Sequence, residues 1–391
     1  MAQYTPRERV LVALNHQEPD TVPIALGGSA HHISESRYQV LCDHFGLSKY
    51  DKPRKLVGFY STADQKSVLD KLGTDVRYIH IRPPQSFKML PLDKPFGAWV
   101  DEWGITHKFE SGFYDLLGTP LAGKTVSEIE KYPWPNPYDP IRIQGLKEEI
   151  EYLYNQTDYA IAAHRPVYGG VWEMARLLIG FENTLLMTKL DVKLFTAVTN
   201  KLNEVLNSFY DAMLSVVGPY VHVVEIADDF GTQNGPMVAP SLYREVIKPQ
   251  HAETIRLIKK KAPQAKAFLH CCGAIKKFLP DFIEAGFDII NPVQPNARDM
   301  DPAQLKKEFG KDLTFWGGVD VQEAMRGSPE MVKMEVCKRI QQMAVGGGYV
   351  LAPAHNFGSD VSLENMLMFI QAGRECGRYP LNFSKQSEVE A

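Results

Sequence analysis

Residues 268–273 read Phe-Leu-His-Cys-Cys-Gly, an apolar run that ends in three soft-metal ligand types and a glycine. Side chains on a strand alternate faces, so His270 and Cys272 converge while Cys271 points the other way. A pair of this kind supplies one imidazole and one thiolate to a single ion. Tetrahedral zinc takes three or four such donors, and a catalytic site keeps one position open. A second apolar run, Tyr349-Val350-Leu351-Ala352-Pro353-Ala354, delivers His355, the candidate third ligand. The bland alternative is a buried strand end with inert thiols. A second donor at a comparable strand end weighs towards a metal. Zinc on one sulfur and two nitrogens either activates a thiolate or acts as a Lewis acid on oxygen.

Other polar groups fall at strand ends. Val223–Asp229 reads V-V-E-I-A-D-D, a hydrophobic strand that turns acidic. Adjacent carboxylates there are costly unless paired, metal-bound or solvated. Asp228 or Asp229 is a candidate for orienting substrate or handling a proton, with N-capping of the next helix as the ordinary reading. Glu225, two residues earlier, is a candidate further metal ligand. Asn291 and Gln294 are candidates to hydrogen-bond a polar ligand. Asp320, after Trp316-Gly317-Gly318-Val319, binds substrate or caps a helix. His31 and His32 follow Gly27-Gly28 and come within reach of the same mouth, although paired loop histidines are ordinarily solvated. His164 and Arg165 end another strand, with Tyr168, Trp172 and Glu173 just beyond, and Trp172 is a candidate substrate contact.

The elements that must position these groups alternate short β-rich runs with amphipathic helices, the pattern of a parallel sheet with crossover helices. Eight candidate strands stand out: Val22–Leu26, Asp75–Ile81, Tyr159–His164, Val221–Ala227, Lys266–His270, Phe287–Asn291, Leu313–Trp316 and Tyr349–Ala352. Eight strands in this alternation close as a (β/α)8 TIM barrel, with ligands at the carboxyl ends of the strands. No G-x-G-x-x-G follows the first strand, which disfavours a dinucleotide-binding sheet. We expect one domain over residues 1–391, with an elaborated, proline- and aromatic-rich loop over about 82–158 covering the barrel mouth and a small hairpin near Ala98–Phe109. Pro6–Asn15 is expected as a helix across the bottom of the barrel, and Ser384–Ala391 as a polar, frayed tail.

Composition narrows the class. A net charge of −4 leaves no footprint for nucleic acid. No apolar run approaches the length of a membrane span, and the N-terminus lacks a signal-peptide core, which points to a cytoplasmic protein. Five cysteines, two of them adjacent, are not a disulfide framework. Cys42, Cys337 and Cys376 fall in helical stretches and read as packing residues.

The stretches ALNHQEPDTVPIALGG, ADDFGTQNGPMVAPSLYREVIKPQ, HCCGAIKKFLPDFIEAGFDIINPVQP, FWGGVD and GGGYVLAPAHNFGSDVSLENM together resemble the uroporphyrinogen decarboxylase superfamily. They span nearly the whole chain, and the resemblance implies a single (β/α)8 barrel. Decarboxylases of the superfamily carry an arginine-rich stretch after the first strand; here Gly27–His32 stands in its place, with only Arg37 nearby. The resemblance is therefore nearer to the zinc-dependent branch that exchanges methyl groups with a corrinoid protein through an H-x-C motif and a later cysteine. His270 and Cys272 match the first two positions, and His355 stands at the third. The resemblance implies zinc, a corrinoid carried by a separate partner protein, and a small methyl donor or acceptor. It fits O-demethylation in anaerobic one-carbon metabolism, with a metal-independent decarboxylase as the alternative. A homodimer is the default for a soluble enzyme.

Overall fold

The computed structural model describes residues 3–28, 31–47, 55–56, 59–60, 66–84, 99–110 and 113–381. Seven parallel strands form one curled sheet: β1 (Val76–Ile79), β2 (Ala160–Ala163), β3 (Val223–Ala227), β4 (Lys266–His270), β5 (Ile289–Asn291), β6 (Thr314–Trp316) and β7 (Tyr349–Val350). They neighbour one another in sequence order. Each is buried on both faces, as parallel strands covered by crossover helices must be. The architecture is an α/β fold of TIM-barrel type.

The expected first strand, Val22–Leu26, does not form a ladder. Pro23 has no N–H to give, and the side chain of Asp75 takes the N–H of Ile24 at 2.7 Å. The segment nevertheless stitches the sheet edges together. Ile24 bridges Leu351 in parallel, Ala25 N–H donates to the Leu351 carbonyl at 2.9 Å, and Asp75 N–H donates to the Ile24 carbonyl at 2.8 Å. Residues 22–26 thus fill the eighth position between β7 and β1.

The helices that matter for the site are α1 (Pro6–Leu14), α2 (Val171–Ile179), α3 (Val192–Val217), α4 (Lys248–Lys261), α5 (Pro329–Met343) and α6 (Leu363–Cys376). Helix α1 starts at a Thr5–Glu8 capping box followed by Pro6, which sets its first turn. Its Val10 and Leu14 enter the barrel's interior cluster with Val76, Ala160, Val223, Phe268, Ile289 and Val350. This helix closes the bottom of the barrel, and each of the two residues contributes roughly 1.5–3 kcal/mol by leaving water. Arg9 on the same helix bonds Asp20 through two nitrogens (2.8 and 2.9 Å) and Asp75 at 2.5 Å.

Within the expected insertion, Trp99–Val100, Thr106–Glu110 and Phe113–Gly118 form an antiparallel sheet. Trp103 stacks on Phe209 of α3, at 5.9 Å between ring centroids. Residues 85–98 and 111–112 of that stretch, and the tail Ser384–Ala391, lie outside the described residues.

One expectation about cysteine is corrected. Cys337 on α5 and Cys376 on α6 form a disulfide, with Cα atoms 5.4 Å apart across a sequence separation of 39. The packing of α5 against α6 brings them together, and that contact has no local trace in the sequence.

Candidate metal centre

The ends of β3 and β4 build the site. Ala227 pairs in register with His270, so the residues that follow each, Asp228-Asp229 and Cys271-Cys272, leave the sheet side by side. Two glycines let their loops touch. Gly273 has φ 84°, and a Cβ there would stand 2.5 Å from the carbonyl carbon of Gly231, which only glycine permits. Ala274 N–H donates to the Thr232 carbonyl at 2.8 Å and locks the pair. Cys271 turns outward into the packed layer, where its Sγ accepts from Phe230 N–H at 3.3 Å. Cys272 turns to the mouth.

Among the described residues, one group of side chains has the arrangement of a metal site: Asp229, His270 and Cys272, with one donor atom from each inside 4.8 Å of the others. His270 Nε2 lies 3.4 Å from Cys272 Sγ and 3.8 Å from Asp229 Oδ1. Donors on tetrahedral zinc stand about 3.3–3.6 Å apart, given bonds of about 2.0–2.3 Å. The donor types fit zinc, the His270–Cys272 pair meets that spacing, and Asp229 stands slightly beyond it. Burial pushes His270 down to about 4, against the pull of Asp229, so its imidazole is neutral and able to ligate. Burial, then the Asp229 and Glu173 carboxylates, push the Cys272 thiol up. A divalent cation reverses that last effect, because it stabilises the thiolate.

His355 stands beside this group, its ring centroid 6.5 Å from that of His270. Two imidazoles on one tetrahedral zinc hold their centroids about 5 Å apart. The approach needed is about an ångström, and His355 follows β7 on a loop that is only partly buried.

The remaining candidates divide. Asp228 does not face the mouth. Its carboxylate is fully buried and accepts from Trp172 N–H (3.1 Å) and Glu173 N–H (2.8 Å) at the start of α2, with His251 Nε2 of α4 at 3.2 Å. It caps a helix, although the helix belongs to the preceding unit and not the next one. Trp172 is fully buried, with its ring against Phe195 of α3. Asp320 is a local cap, accepting from the N–H groups of Gln322, Glu323 and Ala324 at 2.8–3.2 Å. Glu225 pairs with Phe268 and so lies one layer below His270 inside the barrel, with its carboxylate 3.9 Å from His164 Nε2. It is not part of the three-residue group. His31 is buried on the barrel interior with Nε2 2.6 Å from the Tyr78 hydroxyl. His32 is buried beside His355 and Arg165, and burial drives both His31 and His32 down to about 3. Asn291 and Gln294 contact His270 and Cys272 themselves: Asn291 Oδ1 meets His270 Nδ1 at 2.7 Å, and Gln294 Nε2 meets Cys272 Sγ at 3.6 Å.

Two features at the mouth have no role assigned to them by the sequence. Glu173 is buried, and burial followed by the Asp229 carboxylate pushes it up to about 8, so it holds a proton near neutral pH. A carboxyl in the first turn of a helix that starts at a strand end was the available signal. His80 packs on His164 with ring centroids 4.5 Å apart; nothing local marked it.

A family model described as uroporphyrinogen decarboxylase (URO-D) matches residues 104–376. The chain is similar in fold to a methyltransferase from Methanosarcina mazei, with a TM-score of 0.64 and 17% identity over 95% of this chain and 99% of that one. A B12-independent methionine synthase from Shewanella sp. W3-18-1 aligns at TM-score 0.45 and 11% identity, covering 95% of this chain and all of that one. That second likeness is too slight to argue from. No curated protein matches the chain.

Proposed function

The chain belongs to the uroporphyrinogen decarboxylase family, and within it we propose a zinc-dependent methyltransferase that exchanges a methyl group between a small substrate and a separate corrinoid protein. The observation that carries this reading is the Asp229–His270–Cys272 group at the barrel mouth, with His355 within reach as a fourth donor. A metal-independent decarboxylase has no use for a thiol, an imidazole and a carboxylate held at ligand spacing. The segment after Leu26 also offers buried, neutral His31 and His32 where a polycarboxylate substrate would need cations.

When bound, zinc supplies Lewis acidity at the oxygen or sulfur that carries the methyl group. The chain's residues do the rest. His270 and Cys272 fix the cation at the strand ends, and Asp229 lowers its net charge. Breaking the methyl bond leaves an electron pair on the heteroatom, and Glu173, protonated near neutral pH, is the group placed to neutralise it. Arg165, buried at the end of β2, is a cation close enough to act on His32 and His355 and suits a substrate with an anionic group. No helix among the described residues is long and apolar enough to cross a membrane.

The test is elemental analysis of the purified protein, followed by methyl transfer from methoxylated aromatic compounds to free cob(I)alamin with and without chelator. We expect about one zinc per chain and loss of transfer on chelation. Decarboxylation that survives both chelation and His270→Ala would replace this reading with the alternative one.

A further inference from the structure

Asn291 and Gln294 both reach the metal-binding side chains, and a backbone group decides which way each amide points. Asn291 sits directly across from His270 in the β4–β5 register. Its Nδ2 donates to the Trp316 carbonyl at 2.9 Å, which accepts only, so its Oδ1 must be the atom that faces His270. At 2.7 Å from Oδ1, His270 Nδ1 must then carry the proton, because the other tautomer sets lone pair against lone pair in a buried place. The remaining lone pair is on Nε2, the atom that faces Cys272 and Asp229.

Gln294 repeats the logic in reverse. Its Oε1 accepts from Gly273 N–H at 2.7 Å, a group that donates only, so Nε2 is the atom turned to Cys272 Sγ. A donor aimed at a thiolate draws electron density from it. A cation held by that sulfur keeps more of its charge, which favours polarising an oxygen over activating a thiol.

We propose that Asn291 and Gln294 are positioning residues of the metal centre: the first selects Nε2 of His270 as the donor atom, and the second mutes Cys272 as an electron donor. The proposal rests on the metal reading of the site. It places two side chains expected to hold substrate one step further out, behind the ligands.

Full-length protein serves for the test, as wild type, Asn291→Leu, Asn291→Asp and Gln294→Leu. Zinc affinity is read by competition with a chelator, the His270 tautomer by 15N shifts of zinc-free protein, and thiolate donation by the sulfur-to-cobalt charge-transfer band of Co(II)-substituted protein. Asn291→Leu should bind zinc about 10–100-fold more weakly and lose the Nδ1–H tautomer. Asn291→Asp, which still accepts from Nδ1–H, should restore most of both, an outcome that simple misfolding would not give. Gln294→Leu should move the charge-transfer band to lower energy, as a more electron-rich sulfur requires. Unchanged affinity and tautomer in Asn291→Leu, or an unmoved band in Gln294→Leu, would overturn the proposal. Wild-type protein that takes up no zinc would instead overturn the metal reading. The two failures are separable, because the tautomer is read on zinc-free protein.

Discussion

The two ends of the barrel treat buried polar groups in opposite ways. At the bottom, Arg9 stands between Asp20 and Asp75, and Asp75 also accepts the N–H of Ile24. Each of these three charges faces an opposite charge or a donor. At the mouth, the neutral His270 Nε2 faces Cys272 Sγ and a carboxylate oxygen, all three able to present lone pairs. The Arg9–Asp20–Asp75 network needs no ligand and joins the residues of α1 to the sheet. At the mouth the same residue types are arranged so that a cation completes them. Stability and chemistry therefore sit at opposite ends of the same strands, and substitutions can separate them.

The largest expected effect is at the mouth. Cys272→Ala or His270→Ala should reduce zinc from about one per chain to near zero and abolish methyl transfer, while the stability of chelated protein changes by only about 1 kcal/mol. Elemental analysis beside thermal unfolding reads both. Full zinc in either variant would remove the centre from the account. At the bottom the pattern should invert. Arg9→Met leaves the buried Asp75 carboxylate and the partly buried Asp20 carboxylate without their partner and should cost about 3 kcal/mol of unfolding free energy. Zinc per folded chain should stay the same, and a loss of less than 1 kcal/mol would show that the bottom network does not carry the closure.

The barrel pattern was legible in the sequence because strand and helix periodicities are local. Closure at residues 22–26 was less so: a β-rich run was visible, but the diversion of the Ile24 N–H to Asp75 is a contact across 51 residues. The site shows the same limit. His270 and Cys272 could be read from alternation along one strand. The roles of Asp228 and Asp229 could not, since the direction each carboxylate takes depends on how the loops after β3 and β4 meet through Gly231 and Gly273. Asn291 and Gln294 were recognised as polar groups at a strand end. That their side chains meet His270 and Cys272 follows from how β4 and β5 and their loops lie side by side, which a single sequence does not display. The bond between Cys337 and Cys376 depends likewise on helix packing.

The adjacent aspartates give an intermediate test of the same contrast within two residues. Asp228→Asn keeps one acceptor for the start of α2 but loses the charge, and should lower stability by about 1–2 kcal/mol with zinc retained. Asp229→Asn should leave stability nearly unchanged and weaken zinc, as a chelator titration would show. If the two variants behaved alike, the division between helix cap and metal ligand would be wrong.

The smallest expected effect belongs to His355. The His270 and Cys272 donors already stand at zinc spacing with Asp229 only slightly beyond it, whereas the His355 ring must move about an ångström to join them. Ordering a loop residue offsets part of what the added bond contributes. His355→Ala should therefore keep zinc but bind it about tenfold more weakly, which corresponds to about 1.4 kcal/mol. Complete loss of zinc would make His355 an obligatory ligand and the loop after β7 a fixed wall of the site. Unchanged affinity would leave the fourth position to substrate alone, and X-ray absorption of zinc-loaded protein would then show one nitrogen donor instead of two.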